Sequence, residues 1–160
     1  MTAAALPLVT LSPPHLVTLS SAPCPMAAEF SLTHRVLFAE TDMAGIVHFA
    51  NYFRWMEHVE HEFFRSLGLS ISMQHEGLHI GWPRVSAGCE FSGPLKFEDE
   101  VELKLRVMKV GEKSFSYEVD YLLGGRRVAL GKTTSVCCSL EGGRMRSIPI
   151  PAEIREKLSG

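Results

Sequence analysis

An α+β fold, with one long helix lying across a concave face of an antiparallel sheet, is the architecture that the sequence predicts. Between Asn51 and Leu67 the apolar residues recur at the spacing of one helical face. Beyond residue 100, segments of alternating apolar and polar residues are separated by glycine-containing turns, which is typical of an antiparallel meander. Because the helix is long and strongly apolar, it must be buried against a broad surface, and the sheet provides one.

The first two elements flank a short turn that contains Gly45. Ser31 to Phe38 has the composition of a first strand, and the helix follows the turn. Gly68 stands where a helix C-terminal stop is expected. The helical stripe consists of Tyr52, Trp55, Met56, Val59, Phe63 and Leu67.

The remaining strands are predicted from alternation and from turns. Segments 100–107 and 115–121 alternate clearly, and Pro83 to Phe91 is a weaker strand before them. A long strand is predicted from Arg126 to Leu140. One of its faces bears small residues, which permit close approach of the helix or of a second subunit. A short strand from Met145 to Ile150 and a final helix opened by Pro151 complete the prediction, with turns at Gly111-Glu112, Gly124-Gly125 and Gly142-Gly143.

Length and composition bound the class of protein. The chain has 160 residues, 46% of them hydrophobic, which suits one globular domain that we assign to residues 29–160. The formal net charge of −2, with both signs interspersed, gives no indication of nucleic-acid or membrane binding. Four cysteines have no disulfide-framework spacing, so we expect reduced thiols in an intracellular, cytoplasmic protein.

Residues 1–28 differ in composition from the rest of the chain. They contain no Asp, Glu, Lys or Arg, but five of the nine prolines. The prolines oppose a membrane span, and neither a basic start nor an unbroken apolar run of a secretory signal is present. We therefore expect a disordered extension, or translation upstream of a start at Met26, with an unusual export signal as the alternative.

The stretch from Glu40 to Phe53 is the most informative of the chain. Asp42 lies in the turn between the first strand and the helix, close to the unpaired backbone N–H groups that open a helix. A carboxylate beside such donors can attack a carbonyl while the donors hold the resulting oxyanion. The alternative is a structural Asx-turn or N-cap. The apolar residues from Ile46 to Phe49 indicate a buried turn, where a carboxylate without a function would be costly.

Two other patterns are rejected as sites. Gly125 to Thr133 has five residues between its glycines rather than the four of a phosphate-binding loop, and it reads as a hairpin. The segment from His58 to Glu62 does not have the spacing of a zinc motif, so no metal site is expected.

At these residues the chain resembles the acyl-CoA thioesterases of the hotdog fold, in the 4-hydroxybenzoyl-CoA thioesterase branch. The most specific match runs from Thr41 to Tyr52, and two further patches agree, at Gly111 to Phe115 and at Arg144 to Ala152. The resemblance implies a sheet wrapped on a long helix. It also implies that Asp42 attacks the thioester carbonyl or activates water, while the backbone N–H of Phe49 polarises that carbonyl.

Further roles follow from the resemblance alone. Gly45, Asn51 and Glu57 match substrate-binding positions, Glu57 being where relatives that accept hydroxybenzoyl groups have an acid. His48 stands where many relatives have Tyr or another aromatic residue, and we expect its imidazole either to orient Asp42 or to line the pocket. Relatives reach coenzyme A phosphates from positions that match Lys113, Ser114, Arg144 and Arg146. No cofactor is implied, because coenzyme A is part of the substrate. Hotdog proteins pair edge to edge with shared sites, so we expect a homodimer or homotetramer.

Two alternatives to the thioesterase stay open. A hotdog dehydratase or hydratase would use a histidine and a carboxylate as a pair. A non-catalytic module that binds acyl thioesters would need no attacking group, and an intact Asp42 argues only weakly against it. The acyl group is not determined, since the aromatic residues of the helix are more often core than pocket.

Overall fold

The computed structural model describes residues 28–160 as two α-helices, one 3-10 helix and nine strands. Residues 1–27, which make up nearly all of the expected extension, lie outside the described residues. The elements are β1 (Glu29–Arg35), the 3-10 helix (Phe38–Glu40), α1 (Phe49–Ser66), β2 (Ser72–His75), β3 (Leu78–Gly81), β4 (Arg84–Phe91), β5 (Glu100–Val110), β6 (Ser114–Leu123), β7 (Arg126–Val136), β8 (Cys138–Glu141), β9 (Arg144–Ser147) and α2 (Ala152–Ser159).

The strands form two antiparallel sheets. The larger sheet has the order β1-β5-β6-β7-β4, and the smaller has the order β2-β3-β8-β9. Helix α1 packs against the larger sheet, where it contacts β1, β5 and β7. The predicted α+β architecture, with a long helix across one face of an antiparallel sheet, is therefore confirmed. Within residues 28–160, no helix has the length and hydropathy that a membrane span requires.

Helix α1 is amphipathic, as the spacing of its apolar residues predicts. Its 18 residues begin at Phe49, two positions before the predicted start, and end at Ser66. Gly68 ends the helix in a left-handed conformation with φ of +69°, and its N–H donates to the carbonyl oxygen of Arg65 over 2.9 Å. The helix buries Asn51, Tyr52, Trp55, Met56, Val59, Glu60, Phe63 and Phe64.

The small-residue face of β7 is the surface on which α1 rests. A Cβ atom added to Gly131 would come within 2.8 Å of the Met56 sulfur. The same sulfur lies 3.0 Å from the Thr133 hydroxyl, and the Tyr121 hydroxyl donates to the carbonyl of Tyr52 over 2.6 Å. The small residues thus allow the helix, rather than a second subunit, to approach this face closely.

The first strand is displaced from its predicted position. β1 runs from Glu29 to Arg35, and the chain then turns so that Val36 exchanges backbone hydrogen bonds with Glu98 and Asp99. The 3-10 helix follows, and it leaves the side chains of Leu37 and Phe38 exposed. Strand propensity favoured extending β1 through these apolar residues, but no strand among residues 28–160 pairs with them.

The predicted strand from Arg126 to Leu140 is wrong as a single element. The chain leaves β7 at Cys137, whose N–H donates to the carbonyl of Lys113 over 2.7 Å and whose own carbonyl accepts the N–H of Ile148. β8 then joins the smaller sheet. The apolar alternation continues through the break, so periodicity could not detect it.

Three further differences concern short elements. β2 and β3 were not predicted, because their polar sequence becomes a hairpin only by pairing with β8. The strand expected at Met145–Ile150 is found at Arg144–Ser147. Pro151 is the N-cap of α2 rather than its first residue. The predicted glycine turns are confirmed at Gly124-Gly125 and Gly142-Gly143, where all four residues have positive φ.

The close approach at Gly131 predicts the effect of added volume on stability. Gly131→Leu should lower the free energy of unfolding by about 1–3 kcal/mol, because the side chain meets Met56 and Tyr121 in a packed core. Urea unfolding measures this. Lys132→Val, on the opposite and exposed face of β7, should stay within about 0.5 kcal/mol of the parent. If Met56 is the obstacle, Gly131→Leu must cost less in a Met56→Ala background; an equal cost would contradict this account.

Candidate active site

The turn that bears Asp42 is a small hairpin between β1 and α1. Thr41 and Val47 form an isolated antiparallel bridge at its stem. The Asp42 N–H donates to the carbonyl of Ile46, and the Gly45 N–H donates to the carbonyl of Asp42, both over 2.9 Å. Gly45 has φ of +72°, a conformation that favours glycine. Backbone hydrogen bonds therefore determine the path of the chain on both sides of the carboxylate.

The Asp42 side chain forms an Asx-turn and is exposed. Its Oδ1 accepts the N–H of Ala44 over 2.8 Å, while no donor among residues 28–160 reaches Oδ2. The expectation of a buried turn is wrong for the single chain, since Met43 is wholly exposed and only Val47 of the turn is buried. The carboxylate does not cap α1, so one of its oxygens is available to a ligand.

The N-terminus of α1 lies directly after this turn. Phe49 is the first helical residue, so its N–H has no carbonyl to donate to within the helix, and no acceptor among residues 28–160 takes it. His48 is the N-cap, and its Nδ1 accepts the N–H of Ala50 over 3.4 Å. The positive end of the helix dipole thus adjoins an exposed carboxylate.

Asp42 and Phe49 line the same cleft. It has a volume of about 410 Å³, and its other residues are apolar apart from the phenol of Tyr52. A single carboxylate in an otherwise apolar cleft is suited to an uncharged chain or ring that carries one polar reacting group. The lining consists of Asp42, Ile46, Val47, Phe49, Tyr52, Phe91, Gly93 and Pro94.

Glu40, which the sequence did not single out, lies under the turn in a network of hydrogen bonds. Its carboxylate accepts the Leu37 N–H over 2.8 Å and the Trp55 indole N–H over 2.7 Å, and it lies 2.9 Å from His34 Nε2. Burial acts to raise the pKa of Glu40, but the hydrogen bonds from His34, Leu37 and Trp55 outweigh it and hold that pKa below its usual value. Its backbone carbonyl accepts Asn51 Nδ2 over 2.7 Å, so the structure places Asn51 beneath the turn.

A second, smaller cavity lies beside α1 and β4. Its volume is about 180 Å³, and it is lined by Phe53, Met56, Glu57, Arg84, Ala87 and Thr133. Arg84 lies 3.2 Å from Glu57 and also forms an ion pair with Glu60. Glu57 is therefore half-exposed in a cavity with a cation, rather than simply solvated.

Glu60 and Arg84 form a partly buried ion pair that was not anticipated. The Glu60 side chain is 1% exposed, and burial raises its pKa while the Arg84 guanidinium offsets part of that rise. The sequence did contain a usable sign of this pair. Glu60 lies eight residues after Tyr52, on the apolar stripe of α1, and a charged residue on a buried face requires a partner.

The four residues expected to bind coenzyme A lie elsewhere in the chain. Lys113 and Ser114 follow β5, whereas the Asp42 turn lies beside the start of β5, where Val47 donates to the carbonyl of Leu95. At about 3.3 Å per residue, the 11 residues of β5 separate the two ends by roughly 30 Å. Cys137 is hydrogen-bonded both to Lys113 and to Ile148, which directly follows β9. Arg144 and Arg146, on β9, line a cleft of about 540 Å³ that also includes Ile148.

No cluster of three or more potential metal-binding His, Cys, Asp or Glu side chains occurs in the part of the chain that the structure describes.

The sheet wrapped on one long helix is the hotdog fold of thioester hydrolases, and Asp42 and Phe49 line one cleft at the start of that helix. The chain belongs to the thioesterase-like superfamily, whose family model matches residues 36–158. The resemblance inferred from the Asp42 stretch and the hotdog fold that it implied are thereby confirmed.

Three proteins illustrate the relationship. A relative from Aquifex aeolicus (strain VF5), with the general name of an esterase, is 35% identical over 121 residues, which cover 75% of this chain and 91% of that protein. The 4-hydroxybenzoyl-CoA thioesterase of Pseudomonas sp. (strain CBS-3) is 29% identical over 142 residues, covering 84% and 100%. The structure of a gentisyl-coenzyme A thioesterase has a TM-score of 0.68 at 32% identity, covering 79% of this chain and 99% of that one.

The buried ion pair predicts a pH-dependent stability defect. At pH 7, Arg84→Met should lower the free energy of unfolding by about 3–5 kcal/mol, because the Glu60 carboxylate is left buried without a cation, with the Ser135 hydroxyl 3.4 Å away. A raised folded-state pKa destabilises the folded protein above the unfolded pKa, so the defect should shrink as the pH falls towards 4.5. Urea unfolding at a series of pH values measures both effects.

Two variants control for the loss of charge itself. Arg84→Met combined with Glu60→Leu should recover most of the lost stability, since no buried charge is left. Lys132→Met, which removes an exposed partner of Glu90, should cost less than about 1 kcal/mol. A pH-independent defect in Arg84→Met would show that Glu60 is not its cause.

Proposed function

We propose that the protein hydrolyses an acyl-CoA to the free acid and coenzyme A. The observation that carries the proposal is that Asp42 and Phe49, the first residue of α1, line one largely apolar cleft. The sequence similarity of this chain to a 4-hydroxybenzoyl-CoA thioesterase and to a gentisyl-coenzyme A thioesterase supports a coenzyme A thioester as the substrate. A cytoplasmic location is part of the same proposal.

In this proposal the thioester carbonyl lies between the carboxylate and the helix. An oxygen of Asp42, or a water molecule that Asp42 deprotonates, attacks the carbonyl carbon, and the C–S bond breaks to release the thiolate of coenzyme A. The N–H of Phe49 stabilises the negative charge that develops on the carbonyl oxygen. If Asp42 is the nucleophile, water then hydrolyses the acyl–aspartyl anhydride. Because a thiolate leaves readily, the site needs no strong general acid.

The cleft supports an aromatic or a short to medium-length acyl group. Tyr52 and Phe91 lie in edge-to-face contact on its wall, 4.8 Å between ring centroids, and offer an apolar surface to the acyl chain. Gly45 and His48 are proposed to shape the entrance, while Asn51 supports the turn from beneath. Glu57, which lines the second cavity rather than this cleft, is proposed to contact a polar substituent of the acyl group. The rates at which different CoA esters are hydrolysed would identify the acid.

Lys113, Ser114, Arg144 and Arg146 are proposed to bind the phosphates of coenzyme A. Since the length of β5 separates Lys113 and Ser114 from the Asp42 turn of the same chain by roughly 30 Å, we propose that the four residues serve the Asp42 of another copy. Among residues 28–160, β4 is an edge strand of the larger sheet and pairs only with β7, which leaves its other side for pairing with β4 of a second subunit. The proposed assembly is a homodimer or homotetramer.

The first test is the loss of activity in Asp42→Asn. Wild-type protein should release thiol from at least one of benzoyl-, hydroxybenzoyl-, dihydroxynaphthoyl- and aliphatic CoA esters, and a colour reagent follows that release. Asp42→Asn should lower kcat at least about 100-fold, since an amide can neither attack nor accept a proton. Glu153→Gln, on the exposed side of α2, should keep full activity.

The outcomes of this panel separate the alternatives. Turnover of no ester by a folded wild-type protein would favour a binding module, and hydration of an enoyl-CoA would favour a hydratase. Single turnover in ¹⁸O-labelled water also distinguishes the two roles of Asp42: label on the Asp42 carboxylate requires attack by that carboxylate.

The shared site is tested by mixing two inactive variants. Asp42→Asn and the double variant Arg144→Ala/Arg146→Ala should each be weakly active, and dissociation followed by reassociation of the mixture should restore activity. A mixed dimer contains one site with an intact Asp42 and intact cations, so recovery of up to about a quarter of the wild-type rate is expected. Absence of recovery, with mixed dimers demonstrated by mass, would contradict a site shared between subunits.

A further inference from the structure

We propose that Glu40 is a positioning residue for Asp42. Its carboxylate links the base of the turn to β1, to α1 and to the backbone N–H of Leu37, and its backbone carbonyl binds the far end of the turn. The inference rests on the proposed function, because it concerns how the Asp42 carboxylate is held against the N-terminus of α1.

The carboxylate joins three separate parts of the chain. It contacts His34 on β1, the backbone N–H of Leu37 at the start of the 3-10 helix, and the indole N–H of Trp55 on α1, at 2.9, 2.8 and 2.7 Å respectively. The Glu40 side chain is 14% exposed, so water competes little for these hydrogen bonds. Strand, turn and helix are thereby held in one relative orientation two residues before Asp42.

The backbone carbonyl of Glu40 closes the other end of the turn. It accepts the N–H of His48 over 2.9 Å and Nδ2 of Asn51 over 2.7 Å. The Thr41–Val47 bridge and the hydrogen bond from Asp42 to Ile46 follow directly above it. His48, which precedes Phe49, and Glu40, two residues before Asp42, are therefore hydrogen-bonded to each other. This contact fixes the position of the Asp42 carboxylate relative to the N–H of Phe49, the proposed oxyanion donor.

The rate of the proposed reaction depends on the position of the Asp42 carboxylate relative to the N–H of Phe49. An attacking oxygen must approach the carbonyl carbon while the N–H of Phe49 points at the carbonyl oxygen, and a misplacement of about 1 Å can cost about 100-fold in rate. Glutamine at position 40 would keep the size of the side chain but turn one oxygen into a donor. In one orientation the new amide would face the Leu37 N–H and the His34 ring, and in the other it would face the Trp55 indole N–H, so the anchor would be weakened without an empty space being created.

The test compares Glu40→Gln with wild type by steady-state kinetics. We expect kcat to fall about 10- to 100-fold with KM changed less than about twofold, since the acyl and coenzyme A contacts are left in place. In an Asp42→Asn background the same Glu40 change should cost less than about twofold, because a residue that acts through Asp42 has no effect once Asp42 is disabled. Glu102→Gln, on the exposed face of β5, should leave both constants unchanged.

If Glu40→Gln folds poorly, a second variant and a second measurement test the role of Glu40. Trp55→Phe removes one donor to the Glu40 carboxylate and retains an aromatic ring, so its kcat should also fall while KM holds. Hydrogen exchange at the amides of Ala44, Val47 and His48 should be faster in Glu40→Gln, with exchange in β5 and β6 unchanged.

The outcomes separate this inference from the proposed function. An unaltered kcat in Glu40→Gln, or equal losses with Asp42 present and disabled, would overturn the positioning role while the hydrolase proposal stands. A wild-type protein that hydrolyses no ester would overturn the proposed function. Exchange at the turn would then still report whether Glu40 holds it, and unchanged exchange would overturn the inference.

Discussion

Burial of the apolar stripe of α1 against the small-residue face of the larger sheet is the contact on which the rest of the structure depends. Gly131 and Thr133 allow the helix to lie close enough for Met56 to fill the space above them. The helix axis is fixed by that contact, and with it the point at which Phe49 emerges at the rim of the sheet. The Asp42 turn has only to bridge β1 and this point, so the geometry of the site follows from the packing of the core.

Polar groups interrupt this packing at two places on α1, and each has a distinct arrangement. Near its N-terminus, Trp55 and Asn51 donate to Glu40 and link the helix to the turn. Further along, Glu60 is buried on the apolar stripe and balanced by Arg84, which also reaches Glu57. Burial of a carboxylate costs free energy unless the carboxylate accepts hydrogen bonds. Both carboxylates therefore favour one position of α1 against the sheet, rather than simply stabilising the fold.

The Asp42 turn and the basic residues near Lys113 lie at opposite ends of β5, which makes the single chain an unusual unit for binding a long substrate. β4 gives a physical reason to expect a partner. It is an edge strand whose residues are mostly exposed, including Val85 and Phe91, and unpaired strand edges favour pairing with another chain. An Asp42 turn that is exposed in one chain is consistent with a cleft completed by a second subunit.

Local regularities were sufficient to predict the long helix, the meander of β5 to β7, the glycine turns and the Asp42 motif, because each depends on residues that are neighbours in sequence. The limits of β1, the break at Cys137 and the β2–β3 hairpin could not be predicted, since hydrogen bonds to distant strands decide them. The same distinction applies to the site. The sequence by itself determined that a carboxylate precedes a helix N-terminus in a family of thioester hydrolases. Only the tertiary structure decided that Asp42 is exposed, that Glu40 underlies its turn and that Arg84 faces Glu57, because these pairings join residues whose proximity is created by packing.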